Sequence, residues 1–413
     1  MPHARGTPAY RRLTLAMMFA GFSTFSLLYA AQPLLPTFAR VFGLSAEGAS
    51  LAVSIATGPL AIGILVAGRL SDRWGRRPMM VAAMFGAGLA TLLAAIAPGW
   101  GTLLACRLLT GVALAGVPAV AMAYVAEEVD AGSVGSAMGL YIAGTAIGGM
   151  TGRIGVSLVA GALDGLGSGI AGWRWALGAV GVVALAMAEA FRRLAPPSRG
   201  FVARGFAGRD APRVGVRALF RDAALPWLYL EGFLLMGVFV TVYNYAAFRL
   251  EAAPYRLGQT TVSAIFLLYI VGSASSAWFG GLAGRIGRRR VFWVPVVLLM
   301  TGVALTAAAP LALVVAGIAL VTAGFFGAHS IASAWVGRRA LAARGQAAAL
   351  YLFFYYLGSS VLGSAGGIAW TRSGWPGVAW FCLALGGVAL VGAVALWRVA
   401  PLPVATPIVV VEG

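Results

Sequence analysis

The chain has 413 residues, of which 61% are hydrophobic and only 10% charged, and its mean hydropathy is +0.90. Soluble domains are near half apolar and about a quarter charged, so too little polar surface exists here to face water, and lipid must be the solvent for most of the chain. The formal charge is +18 and all 30 basic residues are arginines, but they punctuate apolar runs instead of forming one face, which argues against a nucleic-acid partner.

A spanning helix needs about 20 apolar residues. Twelve such runs follow one another at 13–37, 47–70, 78–98, 101–126, 134–160, 172–192, 225–249, 259–283, 290–309, 311–335, 345–369 and 376–397. The first is preceded by Arg11-Arg12, which imitates a twin-arginine signal. The run is too long for a signal segment and ends in Gln32-Pro33 without a small-residue cleavage site, so a retained first helix is expected. Charge, Gly or Pro marks the breaks, as at Asp72 to Pro78, Pro98-Gly99, Gly287 to Arg290 and Pro310.

The longest break, 193–223, is rich in Arg, Pro and Gly and reads as a linker. It divides the chain into an N-terminal bundle (1–192) and a C-terminal bundle (224–413) of six helices each. Arginines mark the inner face. They crowd at Arg5, Arg11 and Arg12, at Arg69 to Arg77, in the linker, at Arg285 to Arg290, at Arg338 to Arg344 and at Arg398, against Arg40, Arg174, Arg249, Arg256 and Arg372 on the other side. Both termini are therefore expected in the cytoplasm.

Two echoes suggest internal repetition. The stretch Gly68 to Arg77 returns as Gly280 to Arg289, each after the second helix of its half. Leu140-Tyr141 and Gly148 return as Leu350-Tyr351 and Gly358, each in the fifth helix. The expected fold is an all-α membrane protein of two pseudo-symmetric six-helix bundles, with a substrate site near the midplane between them.

Gly68-x-Leu70-Ser71-Asp72-Arg73-x-Gly75-Arg76-Arg77 resembles the signature loop of the major facilitator superfamily, and the resemblance covers nearly the whole chain. It implies a gating cluster in which Asp72, Arg76 and the helix-four acids Glu127 and Glu128 fasten the cytoplasmic side. Gly284 stands where a second Asp would, so the two gates are expected to differ. Helix five carries Gly144, Gly148, Gly149, Gly152 and Arg153, similar to the glycine motif of antiporter branches, with Gly149 in place of proline and Arg153 in place of the last glycine. Ordinary small-residue packing explains the same spacing equally well. Arg107, followed by Gly111, resembles the helix-four motif linked to proton coupling. The run from Met138 to Arg153 followed by Gly172-Trp173-Arg174 is similar to the YnfM-like, arabinose-efflux-permease-like branch of the twelve-span drug:proton antiporters.

Few acids can carry protons, and only Glu231, in helix seven, lies well inside a span. Ionisable groups at such depth are usually functional. His329 in helix ten falls at a similar depth on a rise of about 1.5 Å per residue, so Glu231 and His329 are expected to form a titratable pair. Tyr29 and Gln32 in helix one, with Tyr243 and Asn244 in helix seven, are candidates to line a substrate cavity, although tyrosines near span ends also form interfacial belts.

The expected function is proton-coupled efflux of a small organic compound from a bacterial inner membrane by a monomer. The alternative is uptake by symport or uniport. No catalytic constellation, cofactor or metal site is expected: Cys106 and Cys382 stand far apart in apolar runs, and without a lysine no phosphate-binding loop of the Gly-Lys-Ser/Thr kind can form.

Overall fold

In hydrocarbon a backbone N–H or C=O finds no water to bond, so a crossing chain must pair these groups within itself. A computed structural model, which describes residues 3–130, 132–165, 171–198, 216–340 and 343–400, does so with helices and contains no strand among those residues. The linker expected over 193–223 lies in large part, at 199–215, outside the described residues.

The first group of helices comprises α1 (Pro8–Leu28), α2 (Leu35–Phe42), α3 (Ala46–Trp74), α4 (Arg76–Ala95), α5 (Trp100–Leu114), α6 (Pro118–Glu128), α7 (Val134–Gly165) and α8 (Gly172–Leu194). After the short α9 (Val216–Phe220) come α10 (Leu225–Glu251), α11 (Gln259–Val262), α12 (Tyr269–Ile286), α13 (Arg288–Val291), α14 (Trp293–Leu305), α15 (Leu311–Arg339) and α16 (Arg344–Arg398). Ten helical stretches among the described residues are long and apolar enough to cross a membrane. Three runs read as separate spans differ in form. That at 290–309 appears as α13 and α14 with Phe292 between them, and those at 345–369 and 376–397 lie within the 55-residue α16. α16 is not one straight helix: Gly374 takes φ 61 and ψ −147 inside it, just before Pro376, and such a positive φ is open to glycine at little cost.

The echoed segments occupy matching places. Gly75 (φ 91) joins α3 to α4, and Gly287 (φ 98) joins α12 to α13. Arg77 reaches the carbonyl of Arg192 at the end of α8 (2.6 Å), and Arg289 reaches that of Val399 just past α16 (2.7 Å). A Cβ on Gly148 would stand 2.2 Å from the Phe22 carbonyl oxygen of α1, and one on Gly358 would stand 2.0 Å from that of Phe233 in α10. Each glycine thus lets two helix backbones touch, the contact that replaces water exclusion as glue in a membrane.

The start of α10 and the end of α15 are held by one carboxylate. Asp222 accepts from the backbone N–H groups of Ala224 and Leu225 (2.9 Å each), capping α10, and from the Arg339 fork at 2.6 and 3.1 Å. Burial alone would push the Asp222 carboxyl up. Arg339 and the two N–H groups outweigh it and hold the carboxyl below the usual carboxylate range.

Replacing either Gly148 or Gly358 by Val should lower stability by about 3 kcal/mol or more, because backbone rather than a movable side chain blocks the new atoms. Gly155→Ala, where nothing lies within 4 Å of the added Cβ, should be neutral. Thermal melts of the detergent-purified variants read the contrast. Because folding depresses the Asp222 carboxyl, the stability it adds is present above the unfolded value of about 3.9 and is lost as pH falls below it. Asp222→Asn should therefore cost about 1 kcal/mol at pH 7, allowing for solvent screening. The gap to wild type should shrink on acidification below about pH 4.

Candidate functional site

The helix carrying Tyr29 and Gln32 is broken where they lie. α1 ends at Leu28, a 3-10 turn covers Gln32–Leu34, and α2 starts at Leu35. Pro33 and Pro36 favour this break because neither can donate a backbone hydrogen bond. Arg107 supplies donors to carbonyls at the interruption. Fully buried on α5, it donates to Leu27 O (2.9 Å), to Leu28 O and, across to α3, to Ala52 O (3.0 Å). The Arg107 guanidinium therefore braces the break and touches neither Glu231 nor His329.

Beyond the break, side chains from three helices converge. Gln32 Nε2 donates to Asn244 Oδ1 on α10 (2.8 Å), and Arg153 Nε on α7 donates to Gln32 Oε1 (2.6 Å). Arg153 Nη1 donates to the Gly149 carbonyl one turn back. Three rings surround the same guanidinium, whose carbon lies 4.4 Å from the Tyr29 centroid, 5.2 Å from Tyr269 and 5.4 Å from Phe266. Such cation–π contacts offset part of the cost of burying a charge. Tyr29 OH meets Ser359 at 3.4 Å and Tyr243 OH meets Thr322 at 2.8 Å. Tyr243 also stands edge-on to Tyr269, with centroids 5.5 Å apart.

The four candidate cavity residues thus share one cluster, joined by three members that cavity reasoning had not included: Arg153, Phe266 and Tyr269. The signal for Arg153 was its charge inside an apolar run with no acid nearby. Of the helix-five glycines, Gly144, Gly148 and Gly152 lie against the α1 residues Met18, Phe22 and Ser26, which is the small-residue packing function, while Gly149 serves Arg153.

Glu231 and His329 are both interior but make no hydrogen bond or ion pair with each other. His329 Nδ1 meets Tyr351 OH at 2.9 Å, and its ring lies 4.8 Å from that of Tyr355. Glu231 is 1% exposed, and neither carboxylate oxygen has a partner among the described residues. It faces Gly392 in the second part of α16, where a Cβ would come within 2.5 Å of Glu231 Oε1. The expected direct pair is not formed.

Where α3 gives way to α4, Arg76 bridges Asp72 (2.7 Å) and Glu127 (2.9 Å) and donates to Ser71 Oγ (2.6 Å). It ties α3, α4 and α6 together. Gly68 and exposed Arg73 flank this cluster on α3, and Glu128 is buried at the end of α6. In the second group Gly284 has open space around it, and the ion pair is Asp222 with Arg339 instead.

The polar contacts found between helices α1–α8 and α10–α16 lie midway along the helices or on the side remote from Pro8 and Arg398. Among the described residues they include Tyr29 with Ser359, Gln32 with Asn244, Ser54 with Ser360 and Ser364, Thr37 with Gln259, and Arg40 with Glu251.

A family model described as Major Facilitator Superfamily matches residues 15–340. The chain is 43% identical over 395 residues to the uncharacterized MFS-type transporter YybF of Bacillus subtilis (strain 168), covering 95% of this chain and 94% of that protein. It is equally 43% identical over 399 residues to the inner membrane transport protein YnfM of Escherichia coli (strain K12), covering 95% and 92%. Among solved structures, a bacterial homolog of the human lysosomal transporter Spinster, in an inward-facing and unoccupied conformation, matches with a TM-score of 0.75 at 16% identity, covering 95% of this chain and 97% of that one. The chain is a multi-pass membrane protein and belongs to the major facilitator superfamily.

Proposed function

We propose that the chain is a proton-coupled exporter of a small organic compound, working as a monomer in the bacterial inner membrane. In this reading twelve crossings form two bundles, 1–192 and 224–413, joined by 193–223, with both termini in the cytoplasm. The bundles rock about the cluster of Tyr29, Gln32, Tyr243 and Asn244, exposing it to one side at a time.

The observation that carries this reading is the one-sidedness of the polar contacts between the two groups of helices. A set of neutral hydrogen bonds worth roughly 0.5–1.5 kcal/mol each, with one partly exposed ion pair worth at most about 1 kcal/mol, can close one side and still open within a transport cycle. The Arg76 cluster is the latch of the opposite, cytoplasmic side. Its pairing with Asp72 and Glu127 lies within the first group, where it fixes the shape that α3 and α6 present to the other bundle.

Glu231 is the proton carrier in this scheme. Ionising a buried carboxyl without a partner costs several kcal/mol, so its proton leaves only when water or a cation arrives. Proton release is then tied to which side is open. His329 and Tyr351 form a neighbouring polar link, and Arg107 contributes by holding the helix break on which the cluster is built.

Proteoliposomes with a preset pH gradient test the scheme against a panel of cationic drugs, sugars and amphipathic acids. At least one compound should collapse the gradient with wild type and fail to do so with Glu231→Gln. Compounds that cross without any proton signal would refute antiport and make the protein a uniporter.

A further inference from the structure

We infer that the central cluster is an anion site: the exported compound carries a carboxylate, or a similar singly charged acidic group, on an apolar body, and Arg153 receives it. This rests on the proposed transport reading for the place of the site and goes beyond it in naming the substrate class.

The cluster holds an unbalanced charge. Arg153 is 3% exposed. A guanidinium does not give up its proton in a protein, so burial cannot remove its charge. Buried charges are normally paired, because an isolated one is costly. Arg153 has no carboxylate partner among the described residues: it makes none of the ion pairs found there, and both of its hydrogen bonds go to neutral oxygens, Gln32 Oε1 and Gly149 O. The two hydrogen bonds found use its Nε and Nη1, so neither engages Nη2.

The neighbours are suited to an acid with an apolar body. Asn244 is fully buried and its Nδ2 is without a partner among the described residues, so a second unused donor belongs to the side chain that Gln32 links to Arg153. Tyr29, Tyr269 and Phe266 supply ring surface around the charge. Few polar groups set among aromatic walls are what orient a small ligand, and a planar fork matches a carboxylate better than a point charge does. A cationic ligand would meet like charge here with no acid to offset it, and a neutral one would leave Arg153 unbalanced. The site also sits where it can report occupancy. Arg153 and Gln32 belong to the first group of helices, and Asn244, Phe266 and Tyr269 to the second, so an anion held by both Arg153 and Asn244 would draw the two together.

The test is equilibrium binding to the full chain in phosphatidylcholine nanodiscs, whose lipid supplies no net anionic competitor. Acetate, succinate, benzoate and salicylate are each compared by calorimetry with the matching amide. At least one carboxylate should bind tenfold or more tightly than its amide, as expected for charge-assisted bonds. Arg153→Gln should erase that preference. If Arg153→Gln is not monodisperse and helical, Arg153→Lys decides, and there the preference should fall at least threefold through loss of the planar fork. No carboxylate outbinding its amide tenfold, or a preference unchanged in the folded variant, would overturn the inference. Because no gradient is involved, failure here leaves proton exchange untouched, and failure of the gradient assay leaves anion binding untouched.

Discussion

The constraint from which the rest follows is that hydrocarbon offers no hydrogen-bond partner to the backbone. A continuous helix meets it at no further cost, but a broken helix does not. The first crossing is broken at Tyr29 to Ala31, and Arg107 donates to the Leu27 and Leu28 carbonyls there, adding to the Ala30 N–H that Leu27 O already accepts. The same guanidinium also reaches Ala52 on α3, so one buried cation joins three helices. The break sets Gln32 beside both Arg153 and Asn244, and the central cluster depends on it.

The two buried arginines answer the same problem differently. Arg107 spends its donors on backbone carbonyls and is a brace. Arg153 donates to one side-chain amide and one carbonyl through Nε and Nη1, and is ringed by three aromatic residues. Glu231 is the converse, a buried acid with no donor to satisfy it among the described residues. The membrane interior thus holds an unmatched base and an unmatched acid in separate places. A carrier that exchanges a proton for an organic anion would use both, each balanced at a different step of the cycle.

Much of the architecture was legible because lipid makes apolar run length a direct measure of a crossing, and because glycine and arginine punctuate the runs. The echo of Gly148 in Gly358 was readable, and its cause is the matched backbone contact with Phe22 and Phe233. What could not be read was facing. Glu231 and His329 were counted to one depth, yet no hydrogen bond joins them: Glu231 lies against Gly392 and His329 meets Tyr351, since a count along a helix says nothing about direction around it. The interruption of the first crossing was hidden inside a single apolar run, with Gln32-Pro33 and Pro36 its only marks, so the carbonyls that claim Arg107 were invisible too. Arg153 stood out as a charge inside an apolar run and as a departure from a glycine motif. Its meaning came from Gln32, which is distant in sequence and adjacent in space.

The central claim is that closing one side of the molecule opens the other. Spin labels attached at Trp74→Cys and Arg344→Cys, in a chain with Cys106→Ala and Cys382→Ala, report the distance between the inner ends of α3 and α16 by pulsed electron resonance. The polar contacts on the remote side are then weakened by Arg40→Ala and Ser54→Ala. The account predicts that the inner-end distance distribution shifts toward shorter values as the remote side loosens. A distribution that stays unchanged in the folded variant would contradict it.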